Sequence, residues 1–402
     1  MHYVKGESVF TRTNEIPRQF EYLTETMQTE VVIIGGGITG ASVGYYMAKN
    51  NISAVILEKN RVAHGSTAIT TSLLQYELDG NIGDLKKVTP CENIVKSYKL
   101  GLKALKEIEL FIKKYGNNCD YEVKDTLLYT NKVKEIEELK KEYEFRKDND
   151  FDVEFISEEN NTFSFDIKAG VYSKKGGAQL DPFKFTYKLL DVACEKGLKV
   201  YENTEVMEVE YFHDYVEVTT NYGYRVRGQK VIVATGYNID LFTSKEFGKK
   251  TTTYNIATAP LEKIEGWPGK VLIRDNEDPY HYLRTTKDNR IIIGGEDVDF
   301  KEGIENEILA YEKYELLEKR LKNMFKNIHD IRVEYKYCGA FDSTKDNLGF
   351  IGRSKEQIDL WYCLGYGANG ILFGILGGMM LSQLYHGEED EDMKLFSPDR
   401  EA

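Results

Sequence analysis

The chain has 402 residues, of which 41% are hydrophobic and 30% charged, and its formal net charge is −13. A chain of this length is expected to form two domains rather than one simple core. The acidic charge argues against binding to nucleic acid or to an anionic membrane surface. The sequence has no apolar run of about eighteen residues, which a membrane-spanning helix requires.

The cysteines and the first residues give expectations about metal binding and location. Five cysteines are scattered along the chain without a C-x-x-C pair. We therefore predict no bound metal and no disulfide framework, as in a reducing compartment. Residues 1–29 carry charges throughout and lack the apolar segment of a secretory signal. We expect a cytoplasmic protein.

Residues 30–58 fit a β-α-β unit. The run VVII at 31–34 is apolar and β-branched, which is typical of a buried parallel strand. Residues 38–49 have helical character, and ISAVIL at 52–57 predicts a second strand. The unit has the length of about thirty residues that such motifs usually have.

The turn inside this unit, GGGITG, satisfies the dinucleotide fingerprint G-x-G-x-x-G. Gly35 permits the tight turn, Gly37 lets the backbone approach a pyrophosphate, and Gly40 lets the helix and strand pack closely. The helix N-terminus offers unpaired N–H groups to the phosphates. Glu58 ends the second strand, 23 residues after Gly35, where it can accept hydrogen bonds from ribose hydroxyls.

The middle of the chain alternates helices and strands. Asp181 and Pro182 suit the N-cap and first position of a helix, and Gly197 suits its end. The predicted elements are, in chain order, an amphipathic helix at 92–115, a charged helix at 133–147, a helix from 181 to about 197, short strands at 198–233, strands at 251–297 and a helix at 306–327.

A second match to the fingerprint, GYGANG at 365–370, has a different context. It follows the predicted strand WYCLG and opens an apolar helix that runs to about Tyr385, but no strand returns after it. A second dinucleotide unit is therefore excluded. The N-terminus of this helix suits a group that becomes negative, such as a reduced flavin ring. The run GEEDED at 387–392 predicts a solvated tail.

These motifs resemble, in their order, those of the D-amino-acid oxidase family, which includes glycine oxidase, sarcosine oxidase and γ-glutamylputrescine oxidase. The likeness extends over about residues 28–386. The motifs are VVIIGGGITG at 31–40, LEKN at 57–60, KVIVATG at 230–236, STKDNLGFIG at 343–352 and CLGYGANGILFG at 363–374.

The resemblance implies an α/β fold, α+β overall, in which a Rossmann-like FAD-binding domain is interleaved with a substrate domain made of a β-sheet and helices. The implied segments are an N-terminal extension at 1–27, a discontinuous FAD-binding domain at 28–88, 170–242 and 335–388, a substrate domain at 89–169 and 243–334, and an acidic tail at 389–402.

The resemblance also implies which residues contact FAD. They include the pyrophosphate loop, the ribose region, the loop GSTAITTSLL, the strand end ATG and the second glycine turn. The implied residues are Gly35, Gly37, Ile38, Thr39, Gly40, Glu58, Lys59, Ser66, Thr67, Thr71, Ser72, Leu73, Val206, Ala234, Thr235, Gly236, Gly339, Gly367, Ala368, Asn369, Gly370 and Ile371.

The substrate side departs from the family pattern. Phe341, Ala368 and Leu372 occupy positions where family members carry basic residues. A guanidinium is the natural partner of a carboxylate, so its absence there argues against a small α-amino acid as substrate. Arg284 and Tyr366 are the candidate residues facing the substrate, although Arg284 also fits a sheet edge.

Further aromatic candidates for the pocket wall are Tyr254 and Tyr280, and at most one of His281 and Tyr282 faces a ligand because they are neighbours on one strand. Cys338 lies one residue out of register with the position of a covalent flavin link in sarcosine oxidase. We therefore predict that FAD is bound non-covalently.

The expected function is oxidation of a C–N bond in an amine or amino-acid-like small molecule, with hydride transfer to flavin N5. The alternative is a non-catalytic FAD-binding or assembly subunit of a larger redox complex, because a fold does not fix a function. A reductase that also binds NAD(P)H would need a second true β-α-β unit. The electron acceptor and the oligomeric state are left open.

Overall fold

The computed structural model describes residues 3–367 and 369–400. The strands are β1 (Val4–Gly6), β2 (Met27–Gln28), β3 (Val31–Ile34), β4 (Ala54–Leu57), β5 (Leu73–Gln75), β6 (Glu122–Thr130), β7 (Val153–Ser157), β8 (Ala169–Gln179), β9 (Lys199–Tyr201), β10 (Val206–Tyr211), β11 (Val216–Thr220), β12 (Arg225–Gly228), β13 (Lys230–Val233), β14 (Lys249–Thr258), β15 (Leu272–Asp275), β16 (Tyr282–Thr285), β17 (Ile291–Asp299), β18 (Val333–Ser343), β19 (Phe350–Arg353) and β20 (Leu360–Leu364).

The α-helices are α1 (Val9–Thr13), α2 (Ile38–Lys49), α3 (Ser66–Ile69), α4 (Ile82–Val88), α5 (Cys91–Tyr115), α6 (Ile136–Asp148), α7 (Pro182–Cys194), α8 (Phe300–Gly303), α9 (Glu307–Met324) and α10 (Gly370–Tyr385). Short 3-10 turns occur at Val133–Glu135, Pro268–Lys270 and Glu391–Phe396. The predicted long helices therefore form, and Asp181 caps α7 by accepting from the Lys184 N–H at 3.0 Å, a contact that stabilises a helix by about 1 kcal/mol. Within the described ranges, no helix is both long enough and apolar enough to cross a membrane.

A six-stranded sheet, the central sheet, forms the Rossmann-like part of the fold. Its strand order is β19-β20-β13-β3-β4-β9, and all neighbouring strands are parallel except β19 and β20. Every residue of β3 and β4 is buried, because both faces of the sheet are covered. Since β3, β13 and β20 are parallel neighbours, the loops that follow them leave from the same edge of the sheet.

Helices α2 and α10 pack against each other on one face of the central sheet. Glycines in α10 permit the close approach: a Cβ at Gly378 would lie 2.8 Å from the Ser42 carbonyl oxygen, and one at Gly374 would lie 3.2 Å from the Thr39 Cα. Larger side chains there would push the two helices apart. Because α2 follows β3 and α10 follows β20, both helices begin at the same edge of the sheet.

A ten-stranded sheet, the large sheet, has the order β1-β18-β14-β17-β16-β15-β6-β8-β5, with β7 also paired to β8. Strands β5, β8 and β18 come from segments assigned above to the FAD-binding domain, so this sheet crosses the predicted segment boundaries. A third sheet, β10-β11-β12-β2, covers the other face of the central sheet.

Both ends of the chain pack more closely than the sequence suggested. In the predicted extension 1–27, β1 pairs with β18, and the Ala340 N–H donates to the Tyr3 carbonyl at 2.8 Å. The run GEEDED at 387–392 is exposed or half-buried, whereas Phe396, which follows it, is fully buried, 5.6 Å from Phe373 between ring centroids. An aromatic side chain within the acidic segment gives it an anchor on α10.

Candidate cofactor and substrate site

A cavity of about 420 Å³ lies along the edge of the central sheet where β3, β13 and β20 end. Gly35, Ala234 and Gly365, which directly follow these strands, line one part of it. Thr253 and Arg274 of the large sheet line another part. The cavity therefore joins the Rossmann-like edge to the large sheet, which is where α/β proteins of this kind bind ligands.

The glycine loop after β3 has the geometry that the fingerprint predicts. Gly35 has φ +110°, in a region that favours glycine. A Cβ at Gly40 would strike the Gly35 carbonyl oxygen, so only glycine permits this approach. Gly37 is the N-cap of α2 and provides no side-chain cap, while the Ile38 N–H donates to the Thr67 hydroxyl at 2.9 Å. The start of α2 is thus a backbone cradle open to a phosphate.

Glu58 lies at the end of β4 and lines the cavity. Its carboxylate accepts from the Gly36 N–H at 2.7 Å and from the Asn60 N–H at 2.8 Å. Burial raises the pKa of Glu58, and the two backbone donors act against this shift. The carboxylate is therefore fixed in position and retains lone pairs for a ribose hydroxyl.

The loops that follow β13 and β20 form a second backbone surface along the cavity. Gly236 and Gly367 both have positive φ, +63° and +73°, and both line the cavity. Helix α10 starts at Gly370 without a side-chain cap. The buried hydroxyl of Thr235 has no hydrogen-bond partner within residues 3–367 and 369–400. Two uncapped helix N-termini and an unsatisfied hydroxyl along one cavity fit an elongated dinucleotide with an electron-rich ring, as FAD is.

Most residues predicted to contact the cofactor line this cavity. They are Gly35, Gly37, Ile38, Thr39, Glu58, Lys59, Ser66, Thr67, Thr71, Leu73, Ala234, Thr235, Gly236, Gly367, Gly370 and Ile371. Five others within the described ranges are not part of its lining, namely Gly40, Ser72, Val206, Gly339 and Asn369. Ala368 lies outside the described residues.

Three of the five residues outside the lining, Val206, Gly339 and Asn369, make contacts away from the cavity surface. Val206 pairs with Thr220 in the third sheet. The Asn369 side chain donates to the Glu77 carbonyl at 2.8 Å. A Cβ at Gly339 would lie 2.8 Å from the Tyr3 carbonyl oxygen, so this glycine makes room for the N-terminal strand.

The two residues predicted to face the substrate lie behind the cavity wall. Arg284 is 3% exposed, and its guanidinium donates to the carbonyls of Thr71, Leu180 and Thr285. Burial lowers the pKa of Arg284 to about 10, which still leaves it charged at neutral pH. The Tyr366 hydroxyl donates to the Gly236 carbonyl at 3.2 Å. Both contacts hold loops that line the cavity. However, neither Arg284 nor Tyr366 is among the described residues that line it.

The substrate end of the cavity contains a polar cluster that sequence reasoning largely missed. It consists of Gln75, Asp79, Thr253, Arg274, Tyr280, Tyr282 and Asp297. Only Tyr280 and Tyr282 were considered from the sequence. The available signal was a charged residue inside an apolar strand, as in LIRD of β15 and IIIGGEDVD of β17.

Asp297 has an unusual electrostatic environment. The pKa of Asp297 is raised to about 6, mainly by burial and also by the nearby charges of Asp79 and Glu296. A hydrogen bond from Thr253 and the charge of His281 act in the opposite direction. The Asp297 carboxyl can therefore gain or lose a proton near neutral pH.

Replacing Asp297 with asparagine is expected to stabilise the cofactor-free protein above pH 6. The pKa of Asp297 in the folded protein lies above its ordinary value of 3.8, so the folded state keeps this proton longer than the unfolded state and wild-type stability falls as pH rises from about 4 to 6. The difference of about two pKa units corresponds to about 2–3 kcal/mol. Urea unfolding of wild type and Asp297→Asn at pH 4 and pH 7.5 measures this change in the free energy of unfolding. Equal slopes against pH in the two proteins would contradict the assigned environment.

A parallel sheet whose strand ends open on a long, glycine-lined cavity defines a dinucleotide-binding protein. The family model for FAD-dependent oxidoreductases, DAO, matches residues 30–384. The chain belongs to this family and is an FAD-dependent oxidoreductase, as the sequence motifs predicted.

The chain is also similar to several known proteins. It is 24% identical over 368 residues to glycine oxidase of Bacillus subtilis, covering 90% of this chain and 94% of that protein. It is 23% identical over 380 residues to γ-glutamylputrescine oxidoreductase of Escherichia coli, covering 92% and 87%. The crystal structure of glycine oxidase from Geobacillus kaustophilus matches with a TM-score of 0.80 at 18% identity, covering 94% of this chain and 100% of that chain. The last match confirms the predicted α/β fold.

Among residues 3–367 and 369–400, no group of three or more histidine, cysteine, aspartate or glutamate side chains is placed to hold a metal ion.

Proposed function

We propose that this protein oxidises a C–N bond of an amine or amino-acid-like small molecule. The observation that carries this proposal is the continuity of one cavity from the uncapped start of α2 to the polar cluster around Arg274 and Asp297. Bound FAD would supply a hydride acceptor for a substrate C–H next to nitrogen. The relatives named glycine oxidase and γ-glutamylputrescine oxidoreductase act in the same chemical class.

The residues of this chain have separate tasks in the proposed reaction. The loop at Gly35–Gly40 and the carboxylate of Glu58 would hold the adenosine and phosphate half of FAD. The start of α10 would stabilise negative charge on the ring, because a helix N-terminus carries positive potential. Tyr280 and Tyr282, whose rings lie 5.7 Å apart between centroids, would exclude water from the substrate end.

Anaerobic mixing of the purified flavoprotein with a panel of amines and amino acids tests the proposal. A substrate should bleach the flavin absorbance, and mass spectrometry should detect the carbonyl compound that forms when the imine product hydrolyses. If the protein binds FAD but no member of a broad panel bleaches it, a non-catalytic FAD-binding subunit becomes the better description.

FAD is expected to be bound non-covalently. Cys338 is buried, packs in the core that contains Tyr254 and Tyr314, and is not part of the cavity lining as far as the chain is described. Burial raises the pKa of the Cys338 thiol, which makes it a poor nucleophile. Acid precipitation of the holoprotein should therefore release all of the flavin into the supernatant, from wild type and from Cys338→Ser alike. Yellow precipitated wild-type protein would show a covalent link.

A further inference from the structure

Two buried polar atoms in the cavity have opposite hydrogen-bonding needs. The Arg274 Nε is a donor and the Asp297 Oδ1 is an acceptor, and neither has a hydrogen-bond partner in the part of the chain that the structure describes. Leaving such buried groups unsatisfied destabilises the protein, and more strongly when the groups are charged. A ligand that satisfies both must present an acceptor and a donor.

Arg274 is a fixed side chain. It is 4% exposed, its Nη1 donates to the carbonyl oxygens of Leu78, at 3.3 Å, and Asp79, and its guanidinium lies 5.7 Å from the centre of the Tyr280 ring. The Asp79 carboxylate is 3.8 Å from Nη1. These contacts engage one edge of the guanidinium, so its Nε edge can still meet a carboxylate.

Asp297 lies on β17 with one of its oxygens engaged by its neighbours. Thr253 hydrogen-bonds to Asp297, and the Thr253 hydroxyl lies 2.8 Å from the Tyr282 hydroxyl. All three residues line the cavity together with Arg274. The remaining carboxylate oxygen accepts hydrogen bonds only, which suits an ammonium group.

We propose that Arg274 and Asp297 determine substrate specificity by binding the carboxylate and the ammonium group of a zwitterionic amino acid. This inference rests on the proposed function. Charge supports it: Arg274 contributes one positive charge to the cluster, and Asp79 and Asp297 contribute up to two negative charges. A zwitterion leaves this balance unchanged and satisfies both buried atoms, whereas a simple amine or a simple carboxylate satisfies only one.

Equilibrium binding to the FAD-loaded protein, kept reduced and anaerobic so that the flavin cannot accept a hydride, tests the proposal without turnover. The probes are 2-aminoisobutyrate, which has no C–H next to its nitrogen and so cannot be oxidised there, isobutyrate, which lacks the amine, and isopropylamine, which lacks the carboxylate. Calorimetry and perturbation of the flavin spectrum give the affinities. We expect 2-aminoisobutyrate to bind at least about ten-fold more tightly than either fragment.

Two variants assign the two ends of the ligand. Arg274→Gln should weaken isobutyrate and 2-aminoisobutyrate about ten-fold or more and leave isopropylamine unchanged. Asp297→Asn should weaken isopropylamine and 2-aminoisobutyrate and leave isobutyrate unchanged. If Arg274→Gln does not fold, Arg274→Lys keeps the charge but loses the planar guanidinium, and it should still weaken only the two carboxylate probes.

Asp299→Asn is the matched control. It removes one carboxylate from the same strand, and asparagine can still cap α8 as Asp299 does through the Lys301 N–H. All three probes should bind it as they bind wild type. No preference for the zwitterion, or equal losses for all probes in both Arg274 and Asp297 variants, would overturn the proposal.

Failure of this proposal can be told apart from failure of the proposed function. If the variants discriminate between the probes but no amine bleaches the flavin, the binding assignment stands and the oxidation does not. If amines bleach the flavin equally well in wild type and Asp297→Asn, the oxidation stands and the assignment of Asp297 is wrong.

Discussion

Replacing Gly40 with alanine is expected to give a protein that binds no FAD. The added Cβ would collide with the Gly35 carbonyl oxygen, which belongs to rigid backbone rather than to a flexible side chain. Relief requires the start of α2 to move away from β3, and that movement opens the cradle formed by Gly37 and Ile38. The cost in unfolding free energy is about 1–3 kcal/mol or more. Flavin absorbance of the purified protein and a titration with free FAD measure the effect.

The matched control for Gly40 is Gly83→Ala in α4. Gly83 is also a helical glycine, and a Cβ built there meets no atom within 4 Å. Alanine is the better helix former, so this variant should keep its FAD and gain up to about 1 kcal/mol in stability. Far-ultraviolet circular dichroism of both apoproteins separates loss of the cofactor from loss of the fold. A folded Gly40→Ala protein with normal FAD affinity would contradict the assigned role of the loop.

Arg284→Ala is expected to lower the free energy of unfolding by about 3–5 kcal/mol. The substitution removes the donors to three carbonyls, those of Thr71, Leu180 and Thr285, and the contact of the guanidinium with the Phe10 ring at 5.3 Å. Thr71 lies in the loop that lines the cavity, so FAD affinity should fall as well. Urea unfolding of the apoprotein gives the stability change.

Arg353→Ala serves as the control for Arg284. The Arg353 side chain is half exposed and pairs with Glu389 on the surface, a type of pair that contributes less than about 1 kcal/mol. If Arg284→Ala proved as stable as Arg353→Ala but lost affinity for carboxylate ligands, Arg284 would face the substrate, as the sequence suggested.

Local patterns were sufficient to predict which segments line the cavity at the edge of the central sheet. The turn at Gly35–Gly40, the carboxylate at Glu58 and the glycines before α10 each depend on spacing within a short segment. Parallel pairing of β3, β13 and β20 then brings these segments to one edge, and that pairing follows from buried apolar runs. The order of the motifs along the chain supplied the resemblance to the family.

The substrate end could not be predicted in the same way. Whether Arg274 or Arg284 reaches the cavity depends on the register of β15, β16 and β17 in the large sheet, because neighbouring residues on a strand face opposite sides. These strand pairings join distant segments of the chain, so no short stretch of sequence indicates their register. Phe341 and Arg274 both line the cavity, but no local pattern in the sequence indicated that Arg274 would reach it.

The first strand has a practical consequence for the experiments above. Tyr3 and Val4 line the cavity, and β1 is held there by its pairing with β18. A purification tag joined ahead of Tyr3 is therefore tethered within a few residues of the ligand-binding space. Affinities for flavin and for the small probes should be compared before and after proteolytic removal of such a tag, because a tethered peptide competes at a high effective concentration.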